Sequence, residues 1–259
     1  MSVPEPSDPV LVERRDSTLV IQINRPKQRN AVNRAVSLGI AAALDELDRT
    51  ADLRVGILCG RGGSFCSGMD LRAFVDGERP ELERRGFGGL TESPPRKPLI
   101  AAVEGYALAG GCELALACDL IVAADDAWFG LPEVCRGLIA GSGGLIRLRQ
   151  RIPAAIALEY ALTGDRIAAA DAHRWGLVNR LAASGQALAE ALRLAERITA
   201  NAPLSVTMSK RIMRECVDWP ESEIWERQRP MVESVLASKD AQEGARAFAE
   251  KRNPIWRGE

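Results

Sequence analysis

Apolar residues along this chain keep two rhythms. LVIQI (19–23) is a short β-type run, while VGILC (55–59), LIAAV (99–103) and LIVAA (120–124) are continuous apolar runs of the kind found in strands covered on both faces. From Asn33 onward, Val36, Ile40, Leu44 and Leu47 recur at helical spacing, so the first run predicts a strand followed by an amphipathic helix. Helical patterns return between the later runs, which implies a layered α/β fold. No period repeats in the residues themselves, so any repeat must be one of structure. Past Asn179 the pattern is helical to the end, through GQALAEALRLAERITA, PLSVTMSKRIMREC, a stretch spanning Trp225 and Val235, and KDAQEGARAFAEKR. A helical C-terminal region from about residue 200 divides the chain into a core of 1–199 and a tail of 200–259.

Two segments keep neither rhythm. The head, MSVPEPSDPV, is proline-rich and acidic and reads as loose. Residues 72–98 carry charge, glycine and proline (DGERPELERRGFGG, then SPPRKP) and read as a mobile surface excursion. Loops of that length are often functional, and a solvated insert without a role is an equal alternative.

Composition narrows the chemistry. With 259 residues, 46% of them hydrophobic, the chain supports one large core without staples. A formal net charge of −1 favours neither a polyanion nor an anionic membrane surface as partner, and nucleic acid is excluded as the main ligand. The cysteines, Cys59, Cys66, Cys112, Cys118, Cys135 and Cys216, lie mostly inside apolar runs with no metal-ligand spacing, as small buried hydrophobes of a reducing compartment do. The head has no apolar signal core, and no segment approaches the roughly 20 apolar residues of a membrane span. The expected setting is cytoplasmic, without a membrane.

Several mechanisms drop out. The single histidine, His173, would have to serve every Ser-His or Cys-His mechanism, and its place near Trp175 in ADAHRWG reads as an ordinary helix position. No GxSxG, P-loop or HExxH occurs, and GFGG (86–89) and GSGG (141–144) lack the setting of a dinucleotide site. RLRQR (147–151) alternates arginine with apolar residues, so its default reading is a helix with a solvated basic face.

Two glycine turns and two acids remain. Gly110 and Gly111 stand between an apolar run and an apolar helical pattern, hence at a helix N-terminus, where free N–H groups are open to a ligand. In GGSFCSGMDL (62–71), Gly68 makes a tight turn that presents the Met69 N–H. Two such donors aimed at one point make an oxyanion hole, although each glycine turn alone is usually only a turn. Glu113 lies among Leu, Ala and Cys just past the second turn, and Glu133 follows Pro132 in FGLPEVCRG. Each fits a first-turn acid placed by the helix dipole. Burying Glu113 is nonetheless costly unless something uses or compensates its charge.

Taken together, NRPKQRNA (24–31), FCSGMDL (65–71), KPLIAAVEGYALAGGCELALACDLIVAA (97–124), FGLPEVCRGLIAGSGG (129–144) and AFAEKR (247–252) resemble the enoyl-CoA hydratase/isomerase family, the crotonase fold. The resemblance spans nearly the whole chain in the family's order. It implies an α/β spiral of ββα units with a helical C-terminal region that builds trimers, often paired into hexamers. It places the thioester-oxygen donors at the Met69 and Gly110 N–H groups and the catalytic acids of the hydratases at Glu113 and Glu133. For substrate and coenzyme A contacts it points to Lys27, Ala31, Ser67, Gly68, Asp70, Phe248 and Lys251. Phe248 and Lys251 are expected to share a helical face that reaches a neighbouring subunit's ligand.

The function it implies is hydration of a trans-2-enoyl-CoA to a 3-hydroxyacyl-CoA. No metal or redox cofactor is expected, because coenzyme A arrives as part of the substrate. The rival readings are a Δ3,Δ2-enoyl-CoA isomerase, which needs one acid, and a non-catalytic acyl-CoA-binding protein. The chain departs from the family pattern at Ala109, where glycine is common, at Met69, where alanine is more frequent, and in LIAGSGG (138–144), which lacks a proline. Phe74, Leu82, Phe87 or Leu90 of the excursion are expected to line an acyl tunnel.

Overall fold

A computed structural model describes residues 8–259 and begins with a hairpin, in which β1 (Val10–Arg15) pairs antiparallel with β2 (Thr18–Ile23). The head expected to be loose thus ends in a strand, and its first residues lie outside the described part. β1 escaped the hydrophobic pattern because, as an edge strand, it leaves most side chains in water. After β2 comes α1 (Arg34–Arg49), capped where the Asn33 side chain accepts the Val36 N–H at 3.1 Å. Such a cap is typically worth about 1 kcal/mol. Val36, Ile40, Leu44 and Leu47 are buried as their spacing predicts, each burial contributing about 1.5–3 kcal/mol.

The central part of the chain repeats one structural unit. β3 (Val55–Gly60) leads through Cys66 to α2 (Leu71–Val75), and the excursion then forms a small hairpin of β4 (Glu81–Leu82) and β5 (Gly86–Phe87). β6 (Leu99–Val103) is followed by β7 (Tyr106–Leu108) and α3 (Gly110–Ala117). β8 (Leu120–Ala124) is followed by β9 (Trp128–Gly130) and a 3₁₀ turn, Pro132–Arg136. α4 (Gly144–Arg151), α5 (Ala154–Thr163), β10 (Ile167–Ala168), α6 (Ala169–Arg174), β11 (Arg180–Ala182) and α7 (Ala187–Thr199) complete the core. This is the ββα spiral that the resemblance implies. The three-residue strands were not foreseen, since so short a segment shows no period; β11 corrects the expectation of helix alone beyond Asn179.

The large sheet runs β1-β2-β3-β6-β8-β11 and is parallel from β2 onward. Successive residues serve opposite faces: Leu19, Ile21, Leu58, Ala101 and Ile121 join one core, while Val20, Ile57, Ile100, Ala102 and Val122 pack toward α7. α7 meets the sheet with Ala187, Ala191 and Ala195, whose small side chains let it lie close. A second sheet, β10-β9-β7, takes the second strands of the β6 and β8 units, and Cys66 of the β3 unit joins β7 by an isolated bridge.

Three helices end the chain: α8 (Pro203–Glu215), α9 (Ile224–Leu236) and α10 (Lys239–Glu250). α8 and α9 contain no buried residue. α8 is pinned by Lys210, whose ammonium lies 2.5 Å from Asp119 and 2.8 Å from the carbonyls of Pro95 and Lys97. The C-terminal tail returns to the core, where Trp256 donates to the Ala200 carbonyl at 2.8 Å.

Candidate active site

The repeat decides where the site forms. Cys66 pairs with Ala107, and Ala107 with Phe129, so equivalent points of three units lie side by side. Counting the same distance past those residues reaches Met69, Gly110 and Pro132, with Glu133 one further. All four residues given chemical roles in the sequence therefore come from, or stand one turn beyond, neighbouring strand-to-helix junctions.

The two donor turns touch. A Cβ placed on Gly68 would stand 2.9 Å from the Ala109 Cβ and 3.2 Å from the Gly110 nitrogen, and Gly68 has φ +100°, a conformation open to glycine. Gly110 opens α3, whose first N–H groups have no partner within the helix. Among the described residues, no protein group accepts the Met69 or Gly110 N–H. Ala109, where the family often has glycine, takes φ 48° and ψ −128°. A side chain held there costs about 1–3 kcal/mol, so local strain is stored between the two donors. Phe87 of the excursion is buried against this turn: a Cβ on Gly110 would stand 2.5 Å from its ring. The excursion is consequently no free loop. Its residues 86–91 are packed inside, Leu82 is half-buried, and only Phe74 of the four expected lining residues is exposed.

The two acids occupy unlike surroundings. Glu113, 3% exposed in the first turn of α3, accepts the Ser142 N–H at 2.7 Å and the Gly144 N–H at 2.9 Å, both on Oε1. Gly144 begins α4, so this carboxylate sits at the positive end of a second helix. Glycine is needed there, since a Cβ on Gly144 would stand 2.9 Å from Glu113 Cγ. Burial raises the Glu113 pKa above the usual carboxylate range, opposed by the two N–H groups, the nearby Arg147 charge and the Ser142 hydroxyl. Glu133, 9% exposed, has a buried Oε2 with no hydrogen-bond partner among the described residues. Burial pushes it up to about 7, and the neighbouring Glu113 charge adds to the rise. At neutral pH Glu133 is thus poised as a half-protonated acid, while two N–H groups on Oε1 favour the carboxylate form of Glu113 against its burial. Burial pushes the nearby Cys66 and Cys112 thiols up to about 12, which keeps them neutral.

The other predicted residues divide. Ser67, Gly68 and Asp70 are sewn to the segment before α1: the Ser67 N–H donates to the Arg29 carbonyl at 3.1 Å, the Val32 N–H to the Gly68 carbonyl at 2.8 Å, and the Asp70 N–H to the Val32 carbonyl at 2.9 Å. The Asp70 carboxylate caps α2 and pairs with Arg25 at 2.9 Å. Burial would raise its pKa, but Arg25 and the α2 N–H groups bring it below the usual range. Arg25, which no sequence signal singled out, also donates to the carbonyl of buried Ala31 at 2.6 Å. Lys27 is exposed on the turn Pro26–Gln28. Phe248 and Lys251 lie apart from these junctions, at the end of α10, and Phe248 is 87% exposed. Lys251 does not share the helical face as expected. The helix stops at Glu250, and Lys251 caps it in the left-handed conformation (φ 52°).

Three further observations concern residues outside that set. Ser142 and Gly144 hold Glu113, and GSGG could have been noticed as a glycine-led helix start. RLRQR is the helix expected, with Leu148 buried and Arg149 and Gln150 exposed, but Arg147 and Arg151 turn inward instead of joining the solvated basic face. Their partners are the carbonyl of nearby Ser142 and those of Thr91, Leu116 and Cys118, the last three distant in sequence and invisible to a helical pattern. His173 is exposed, its Nδ1 2.8 Å from the Val178 carbonyl, in the ordinary place expected of it.

Two neighbouring N–H donors beside a pair of buried carboxyls, on a ββα spiral, define a crotonase-fold site. Comparison with known proteins agrees: the enoyl-CoA hydratase/isomerase family pattern matches residues 13–259. The chain belongs to the enoyl-CoA hydratase/isomerase family. It is similar to a crystal structure of enoyl-CoA hydratase from Mycobacterium tuberculosis H37Rv, with 60% identity and a TM-score of 0.96 over 98% of this chain and 100% of that one. It is also similar to the carnitinyl-CoA dehydratase of Salmonella heidelberg (strain SL476), at 42% identity over 97% of this chain and 99% of the relative. A crystal structure of carnitinyl-CoA hydratase from Mycobacterium avium is 46% identical, with a TM-score of 0.79 over 98% of this chain and 100% of that one.

Proposed function

We propose that this enzyme adds water to a trans-2-enoyl-CoA to give a 3-hydroxyacyl-CoA. The observation that carries the reading is the pair of buried acids in unlike surroundings, Glu113 tethered by N–H groups and Glu133 pushed up to about 7, beside two unpartnered N–H donors. The thioester withdraws electrons and makes C3 electrophilic. Glu113 takes a proton from water as the oxygen attacks C3. Negative charge moves to the thioester oxygen, which the Met69 and Gly110 N–H groups receive; one such donor is typically worth about 10²–10³ in rate. Glu133 then gives its proton to C2, and a proton passes back from Glu113 to restore the pair. The thioester is itself the electron sink, so the step calls for no metal or redox cofactor.

Coenzyme A is assigned to the segment around Lys27 and Ala31, with Ser67, Gly68 and Asp70 shaping the turn below it. Asp70 acts through Arg25 rather than by direct contact, since Oδ2 is engaged by Arg25 and Oδ1 by the first N–H groups of α2. The proposed division of the chain at 199/200 has support in the difference between α7, which packs buried alanines on the sheet, and α8, none of whose residues is fully buried. The C-terminal helices are assigned to a homotrimer or a hexamer, in which Phe248 and Lys251 reach the neighbour's ligand. Exposed Met213, Val217, Trp225 and Leu236 support that use. The proposed setting is the cytoplasm, on the six unpaired thiols.

A second reading, a carnitine-linked enoyl-CoA as substrate, has support in the names of two of the relatives. A panel of enoyl thioesters followed by ultraviolet absorbance tests both. Loss of the conjugated band on addition of the enzyme is the expected result, and the preferred substrate separates the two readings. Appearance of that band from a 3-enoyl-CoA, with no loss from any 2-enoyl-CoA, would replace hydration by isomerisation.

A further inference from the structure

RLRQR has no part in the chemistry above, yet two of its arginines point inward. Arg147 folds back over the start of its own helix, where a Cβ on Gly143 would stand 2.2 Å from its Nη1. From there Nη1 donates to the Ser142 carbonyl at 3.3 Å and Nη2 to the Thr91 carbonyl. Ser142 is the residue whose own N–H reaches Glu113. Thr91 belongs to the buried end of the excursion, a few residues from Phe87. One planar fork therefore joins the segment packed on the Gly110 donor to the turn that holds the acid. Arg151 does a different task, closing the carbonyls of Leu116 and Cys118 near the far end of α3.

We infer that Arg147 is a positioning residue for Glu113: by bridging the Thr91 and Ser142 carbonyls, its guanidinium fixes the turn whose N–H groups tether the Glu113 carboxylate. This rests on the proposed role of Glu113 as the base. Tethering of Oε1 leaves Oε2 in one orientation toward the attacking water, and the rate of a proton transfer depends steeply on that placement. Electrostatics act in the same sense. Burial raises the Glu113 pKa and the Arg147 cation opposes it, while Glu133 is the acid on the other side. Around Arg147 itself stand the cations Arg151 and Arg214, the Cys118 thiol and Glu113. Removing the Arg147 charge raises the Glu113 pKa further, so less of the base is ionised at any given pH.

Two variants of the full chain test this. Arg147→Met keeps much of the stem but loses charge and donors; Arg147→Lys keeps the charge and loses the fork. With the best enoyl-CoA of the panel, Arg147→Met should lower kcat by about 10²-fold, the scale of a misplaced catalytic group, with KM little changed. The acidic limb of its kcat profile should move to higher pH, whereas Arg147→Lys should leave the limb in place and recover only part of kcat. A parent-like kcat and limb in Arg147→Met would overturn the inference. So would a fall in Tm, kcat and kcat/KM together with an unmoved limb, the mark of a merely structural role. If Arg147→Met does not fold, a parent-like kcat in Arg147→Lys overturns it equally. A substrate-free measurement separates this from the hydratase reading: in ¹³C-glutamate NMR, with Glu113 assigned by Glu113→Gln, its titration should move upward in Arg147→Met. That shift would stand even if no enoyl-CoA were hydrated, and its absence would count against Arg147 alone.

Discussion

At the three strand-to-helix junctions, Gly110, Glu113 and Glu133 are buried and Met69 is half-buried, all held by the chain itself. Glu113 and Glu133 lie inside, Phe87 rests on Gly110, and Gly68 approaches the Gly110 nitrogen. The last three helices differ in kind. No residue of α8 or α9 is fully buried, and Trp225 and Phe248 are exposed at 72% and 87%. Large apolar side chains in water are a familiar sign of a surface that meets a partner. The contrast teaches that one chain suffices to shape the reacting centre but leaves its C-terminal surface uncovered, the arrangement expected if a second copy completes the ligand site.

The largest effect should come from cutting that surface away. A chain ending before Ser238 lacks α10 and its cap, and light scattering should find no trimers and assays no turnover; a fully active monomer would erase the distinction between the two regions. Next in size, Glu133→Gln is nearly isosteric but cannot give up a proton, so kcat should fall at least ~10²-fold with KM little altered. Near-normal turnover would remove its assigned role. Gly110→Ala should then lower stability by about 1–3 kcal/mol, because the new Cβ must displace the Phe87 ring, and kcat should fall with it. Phe87→Ala added to that variant should return part of the lost turnover, and strict additivity of the two changes would show that the ring does not act on the donor.

A smaller effect is expected at the exposed end. Lys251→Ala should raise KM for the CoA ester several-fold while keeping kcat, and the difference from the parent should shrink as salt rises above about 0.15 M, where screening reaches about 8 Å. An unchanged KM at low salt would show that the site is built from one chain. Smallest of all is a stability slope. Because Glu133 holds its proton up to about 7 in the folded state, against an ordinary value of 4.5, the unfolded chain binds fewer protons within that window. Thermal stability should therefore decline as pH rises through it, less so in Glu133→Gln. An equal slope in both proteins would mean that Glu133 is not the group concerned.

The sequence carried the large sheet well, because parallel strands buried on both faces write themselves as continuous runs such as VGILC and LIAAV. It carried α1 through its helical spacing and Asn33, and α8 to α10 through their patterns. It concealed β1, whose side chains mostly face water, and the strands Tyr106–Leu108 and Trp128–Gly130, too short for any period. At the site, Met69, Gly110, Glu113 and Glu133 could be named from glycine turns, misplaced carboxylates and the family resemblance. What holds them could not. Arg147, Ser142, Phe87 and Arg25 act through carbonyls, N–H groups and ring faces of segments far along the chain, and such partnerships leave no local pattern. The excursion misled for the same reason: its charged ends suggest solvent, while Phe87 and Leu90 are buried by residues elsewhere.

The claim on which the rest depends is that burial beside Glu113 makes Glu133 hold its proton up to about 7, while Glu113 is tethered by two N–H groups. ¹³C-glutamate NMR of the free enzyme measures it directly, with Glu113→Gln and Glu133→Gln supplying the assignments and the pair treated as one coupled system. A carboxyl titrating near 7, absent from the Glu133→Gln spectrum, is the predicted result. Titration of Glu133 in the ordinary carboxylate range, indistinguishable from exposed glutamates, would contradict the account.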